Sequence, residues 1–265
     1  MGTQLFGILN FTPDSFFDGG KNFTAEAAVA SAEELLENGA NFIDVGAEAT
    51  NPFVKPITYE EEIERLTLVL PTLLKKFPGK VSLDTYHPET LGWALNFGRP
   101  MLNDVSGLQS RQMIGLVSKH GLTCIVGHLP TGAKGIPVRA HDFKIDDITT
   151  VVTELLQQAK NLQDAGVEQK NIVLDPNIGF GKSMRLNWQL LEFAKYVPDY
   201  KVMIGHSNKR FLGCDSETGE LLENGQELRY TPERNVEAAT IALQAGAAFL
   251  RVHDPTTYQS LVNKF

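Results

Sequence analysis

The stretch ENGANFIDVG, residues 37–46, decides the fold. It starts as the polar end of a helical pattern, turns at Gly39, and enters a short apolar strand that stops at Asp44 and Gly46. A glycine just past a helix reads as a left-handed cap, because it enters that region without a Cβ clash. The phrase recurs at 96–107 (NFGRPMLNDVSG), 119–128 (KHGLTCIVGH), 164–176 (DAGVEQKNIVLDP) and 244–254 (QAGAAFLRVHD), with Gly98, Gly121, Gly166 and Gly246 as the caps. The strands in these phrases are short and continuously apolar rather than alternating. That is how strands covered on both faces of a parallel sheet look.

Working outward, strands are predicted at 4–10, 41–46, 80–84, 100–104, 122–127, 171–175, 201–205 and 248–252. Amphipathic segments at 25–38, 59–76, 148–164 and 233–245 read as helices between them. Eight βα units in 265 residues match a (β/α)8 TIM barrel, which takes about 250 residues as a single domain. The competing doubly wound sheet often carries GxGxxG after its first strand, and none is present. Polar residues end nearly every strand, which also favours the barrel. No linker or low-complexity tract divides the chain, and two insertions stand out, 47–58 and 213–230.

The totals narrow the classes of function. A net charge of -8 argues against a nucleic-acid surface. Two cysteines, Cys124 and Cys214, far apart and outside any CxxC, suit a reducing compartment and make thiolate-bound zinc a poor expectation. The opening MGTQLFGILN lacks a basic region and cleavage site, and no apolar run reaches the ~18–20 residues of a membrane span. A cytoplasmic protein without membrane contact is expected.

In a barrel the C-terminal strand ends share one mouth, and active sites sit there. Here they carry Asn10, Asp44, Asp84, Asn103 with Asp104, His128, Asp175, Ser207 with Lys209, and Arg251 with His253. Any single Asp or Asn of this set can simply cap the next helix or fill a turn. Capping does not account for Lys209, Arg251 and His253. Asp84, Asn103, Asp175 and Lys209 mix donors and acceptors in the way a flat nitrogen heterocycle requires. Arg251, His253 and Asn10 suit an anion: Arg offers forked donors to phosphate, and an Asn oxygen can join a Mg²⁺ sphere beside phosphates. Residues 207–210 are expected at a helix start, where free N–H groups attract anions. The loop GILNFTPDSFFDGG (7–20) leaves the first strand at Asn10 and carries Asp14, Ser15, Phe16 and Phe17. It is longer than the usual connection of about 2–6 residues, and such loops hold function. No HExxH, CxxC or GxSxG occurs, and GFGK (179–182) lacks the full phosphate-loop spacing.

At this point the chain resembles the dihydropteroate synthase family, which joins a pterin pyrophosphate to p-aminobenzoate. The matching blocks are 7–20, DVGAEAT (44–50), SLDTY (82–86), NDVSG (103–107), LDPNIGFGK (174–182), SNKRF (207–211) and LRVHD (250–254), in this order over essentially the whole chain. The resemblance implies a homodimeric barrel using Mg²⁺. It implies a pterin site of Asp84, Asn103, Asp175 and Lys209 with Phe180. Asn10, as metal ligand, would hold Mg²⁺ and pyrophosphate together with Arg251, His253 and nearby Thr50. Phe17, Thr50, Pro52, Phe180 and Ser207 would form the p-aminobenzoate site. Asn10, Asp14, Lys209, Arg251 and His253 would carry the catalysis. In the family pyrophosphate leaves first and the amine then attacks a pterin cation.

The chain departs from the family pattern at four places. Asn51 and Asn208 stand where the family usually has Arg, GHLPTG (127–132) replaces an MHM turn, and Asn177 stands where most members have Gly. Each missing guanidinium removes a charged hydrogen bond of about 1.5–3 kcal/mol, with Arg210 or Lys55 as expected compensators. Sulfonamide tolerance is one expectation. A relative with a changed acceptor or no synthase activity is an alternative, and a pterin-binding methyl-transfer module another.

Overall fold

A computed structural model describes residues 2–12, 25–48, 56–130 and 145–265. Eight parallel strands close into a barrel in sequence order, with β8 pairing back to β1. The strands are β1 (Gln4–Asn10), β2 (Phe42–Gly46), β3 (Val81–Asp84), β4 (Met101–Asp104), β5 (Cys124–Gly127), β6 (Ile172–Asp175), β7 (Lys201–Ile204) and β8 (Phe249–Val252). The helices are α1 (Ala25–Glu37), α2 (Tyr59–Thr67), α3 (Leu70–Lys76), α4 (Pro88–Ala94), α5 (Arg111–His120), α6 (Ile148–Asp164), α7 (Met184–Gln189), α8 (Gly225–Leu228), α9 (Pro232–Gln244) and α10 (Thr256–Val262). Every predicted strand is present, with ends moved by no more than a residue or two.

The continuous apolar strands divide their residues between two cores. Leu5, Leu9, Val45, Leu83, Leu102, Val126, Leu174, Ile204 and Leu250 join the layer beneath the helices. The alternate positions Phe6, Ile125, Val173, Met203 and Phe249, with Phe42 and Met101, fill the barrel floor. There Phe6 stacks obliquely on Phe42 at 4.6 Å and meets Phe249 edge-on at 5.3 Å between ring centroids. A strand covered on one side by helices and on the other by this plug has no solvent face, so it needs no alternation.

Four of the five predicted glycine caps adopt positive φ: Gly39, Gly121, Gly166 and Gly246. Gly98 does not. It is small because a Cβ there would lie 3.2 Å from the Leu74 Cβ of α3. The predicted helix 59–76 is two helices, α2 and α3, since Pro71 has no N–H for the Thr67 carbonyl and its ring blocks the turn. The insertion 213–230 is pinned to α9. Arg234 donates to the carbonyls of Leu212 (2.8 Å) and Cys214 (2.9 Å) and stacks over Trp188. Both cysteines are buried and free.

Candidate active site

Parallel register places the polar strand ends in one layer. Asn10 pairs with Gly46, Asp84 with Asn103, and Gly127 with Asp175. Asn103 and Asp175 stand two residues beyond the floor residues Met101 and Val173 of their own strands, so they face the same interior. Arg251 crosses this interior from β8. Its Nε donates to Asp44 Oδ2 at 2.5 Å and its Nη2 to Asp84 Oδ2 at 2.7 Å. Asn103 Nδ2 donates to the same Asp44 oxygen at 2.9 Å. Asp44 is fully buried and its Oδ1 finds no partner among the described residues. Burial disfavours charge on Arg251, yet Asp44 and Asp84 hold the guanidinium above its usual pKa. Burial pushes the Asp84 carboxyl up, and Arg251 opposes that push.

On the β6–β7 side, Lys209 Nζ donates to the Ile178 carbonyl at 2.6 Å and lies 5.5 Å from the centre of the Phe180 ring. Burial lowers the ammonium to about 8 although Asp175 attracts its charge. Burial raises Asp175, with Lys209 and the Asn177 N–H pulling it back. Gly205 leaves room here, since a Cβ on it would stand 3.7 Å from Lys209 Nζ and 3.8 Å from Arg251 Cβ. At the rim, Ser207 Oγ and His253 Nδ1 are 3.0 Å apart. Desolvation, then the charges of Arg251 and Lys209, pull the His253 imidazole below its ordinary value.

The predicted residues Asp84, Asn103, Asp175, Phe180, Ser207, Lys209, Arg251 and His253 therefore gather at the mouth, and Asn10 stands exposed at the end of β1. Asp14, Phe17, Thr50 and Pro52 lie outside the described residues, as do Asn51 and Lys55. Residues 207–210 do not open an α-helix. Residues Arg210–Gly213 form a short 3-10 turn with Lys209 as its cap. Asn208 takes a left-handed conformation (φ 59°), with its N–H donating to Asn235 Oδ1 at 3.0 Å, and Arg210 is exposed. Among the described residues no group of three His, Cys, Asp or Glu side chains is placed to hold a metal ion. The donor set thus fits a cation only if substrate phosphates supply most of its ligands.

From the sequence, Asp44 stands at the mouth without a role, and Lys182 is not singled out as a buried cation. Asp44 is the hub that orients Arg251 and Asn103. The signal was its place two residues after Phe42 on the interior face. Lys182 is a buried cation whose Nζ donates to the carbonyls of Asn177 (3.1 Å) and Phe180 (2.8 Å), and burial lowers it to about 7.

A barrel whose interior layer ends in acids, amides and two cations is built to hold a polar heterocycle, and the chain belongs to the pterin-binding enzyme family, whose model matches residues 6–253. Among its relatives, the dihydropteroate synthase of Clostridium beijerinckii is 32% identical over 256 residues, covering 95% of this chain and 89% of that one. The solved structure of Xanthomonas albilineans dihydropteroate synthase with 4-aminobenzoic acid matches at a TM-score of 0.84 and 33% identity, covering 99% of this chain and 92% of that one. The same enzyme in complex with 7,8-dihydropteroate matches at 0.80 and 32%, over the same shares of each chain.

Proposed function

We propose that this chain is a dihydropteroate synthase, condensing 6-hydroxymethyl-7,8-dihydropterin pyrophosphate with p-aminobenzoate. The observation that carries the reading is the ring of Asp84, Asn103, Asp175 and Lys209 beside Arg251 and the Ser207–His253 pair, at one barrel mouth above an apolar floor.

Asp175, Asn103, Asp84 and Lys209 bind the pterin edge, with carboxylates accepting ring N–H groups and the ammonium and amide donating to ring acceptors. Arg251 offers its guanidinium to the diphosphate, and His253 contributes a hydrogen bond. Phe180, with Ser207, walls the aminobenzoate side, together with Phe17, Thr50 and Pro52. The bond from the pterin methylene carbon to the diphosphate oxygen breaks with its electron pair on oxygen. The aminobenzoate nitrogen then bonds to that carbon and loses one proton. Asp14 and Thr50 belong with Asn10 around the leaving group. Mg²⁺, when bound with the diphosphate, neutralises charge on it, and Asn10 is the side chain that would reach it. Cations arranged before reaction stabilise the departing anion without reorganising. A homodimer acting in the cytoplasm completes the proposal.

A pyrophosphate-release assay tests it, run with and without p-aminobenzoate. Release that yields dihydropteroate when the amine is present is the expected result. Release without that product indicates a relative with another acceptor, and bound pterin without release indicates a binding module. A sulfonamide arm tests the tolerance drawn from Asn51 and Asn208, which full inhibition at ordinary concentrations would sink.

A further inference from the structure

The loop after β6 is gripped at one residue. Asn177 is 7% exposed and holds a left-handed backbone, φ 49°, that few residues other than Gly, Asn and Asp adopt. Its N–H donates to Asp175 Oδ1 at 2.7 Å. Its carbonyl accepts from Lys182 Nζ and from the Phe180 N–H, both at 3.1 Å. Its side-chain amide donates to the Val105 carbonyl at 3.0 Å and the His128 carbonyl at 3.3 Å. One residue thus ties the ends of β4 and β5 to the carboxylate that closes β6. Asp carries no donor for those two carbonyls and Ser carries one, so only Asn combines both donors with this backbone.

The strand opposite is cut to fit. A Cβ on Gly127, the last residue of β5, would stand 2.4 Å from Asn177 Nδ2, a separation real atoms do not adopt. Gly107 presses on the same place, since a Cβ there would lie 2.8 Å from the Gly127 carbonyl oxygen.

We propose that Asn177 is a positioning residue for the pterin acceptor Asp175, and that its side-chain amide requires glycine at 127. The proposal rests on the functional reading above. The Asn177 backbone N–H holds Oδ1 of Asp175 and leaves Oδ2 for the ring, while the side-chain amide anchors that N–H to the ends of β4 and β5. It acts on the pterin half of the site and leaves the p-aminobenzoate half to Phe180, Ser207 and the two loops.

The test uses the full chain and three variants, Asn177→Gly, Gly127→Ala and the double variant. Binding of pterin pyrophosphate is measured by calorimetry without the second substrate, followed by steady-state kinetics. Asn177→Gly keeps the backbone conformation and removes only the amide. It should weaken pterin binding about tenfold, the scale set by buried carbonyls left without a donor, while the p-aminobenzoate KM stays within about twofold. Gly127→Ala should weaken pterin binding by about threefold or more, because the methyl displaces the amide. The double variant should be no worse than Asn177→Gly alone, since the colliding group is gone. If Asn177→Gly unfolds, Asn177→Ser, with one donor kept, should fold and give an intermediate loss. Unchanged pterin affinity, equal changes in both KM values, or additive losses in the double variant would each overturn the proposal. An unaltered chain that binds no pterin would overturn the functional reading and this proposal with it.

Discussion

The floor and the mouth of the barrel are built from the same strands, two residues apart, and differ in almost every property. On β2 the step runs from Phe42 to Asp44, on β4 from Met101 to Asn103, on β6 from Val173 to Asp175, and on β8 from Phe249 to Arg251. The floor residues touch one another through rings and aliphatic carbon, and any one of them would serve elsewhere in a core. The mouth residues touch through charge. Arg251 meets two carboxylates, Asp44 meets two donors, and one Asp44 oxygen has no partner among the described residues. A layer of buried ions contributes little net stability, because desolvation offsets the attraction. The apolar layer beneath, where burial is favourable without pairing, therefore supports it. The fold keeps stability and chemistry in adjacent layers of one barrel.

The largest test of that contrast is Arg251→Ala. Removing one partner of a buried ion network strands Asp44 and Asp84, so stability should fall by about 3–5 kcal/mol. Pyrophosphate release should fall by about a hundredfold or more. Denaturant melts and turnover measure the two losses, and a variant as stable as the parent would break the picture. Phe249→Ala should cost about 3 kcal/mol through the cavity it leaves against Phe6, with both KM values unchanged. A KM shift comparable to that of a mouth variant would show that the two layers are not independent.

The smallest effect concerns the polar ground behind the mouth. Glu62 of α2 is buried and accepts hydrogen bonds from Thr85 and Thr90, the first of which follows Asp84. Burial raises its carboxyl from 4.5 to about 7. The folded state therefore keeps this proton up to about pH 7, whereas the unfolded chain releases it near 4.5. Between those values the native state binds more protons, so this group's contribution to stability declines as pH rises. Glu62→Gln removes the titration. Its stability relative to the parent should grow steadily as pH rises from 4.5 to about 7 and level off above that. A difference that stays constant over that range would contradict the shift.

Much of this was legible from the chain. Glycine-ended helices and short apolar strands led directly to eight parallel strands, since a left-handed cap and a strand without alternation are local consequences of residue type. The break at Pro71 was missed, because the amphipathic pattern runs straight through it. Gly98 was misread because a cap and a close contact call for the same residue. The two are distinguished only by what lies opposite, here Leu74.

The sequence by itself determined the barrel, the strand ends and the kinds of group each end presents, because those follow from periodicity and backbone preference within a few residues. Only the tertiary structure decided which groups meet. Arg251 reaches Asp44 across 207 positions of chain and Asp84 across 167, and Asn177 meets Val105 across 72. Those contacts exist because the sheet closes on itself. Closure brings β8 beside β1 and sends side chains across a shared interior whose width no local pattern encodes.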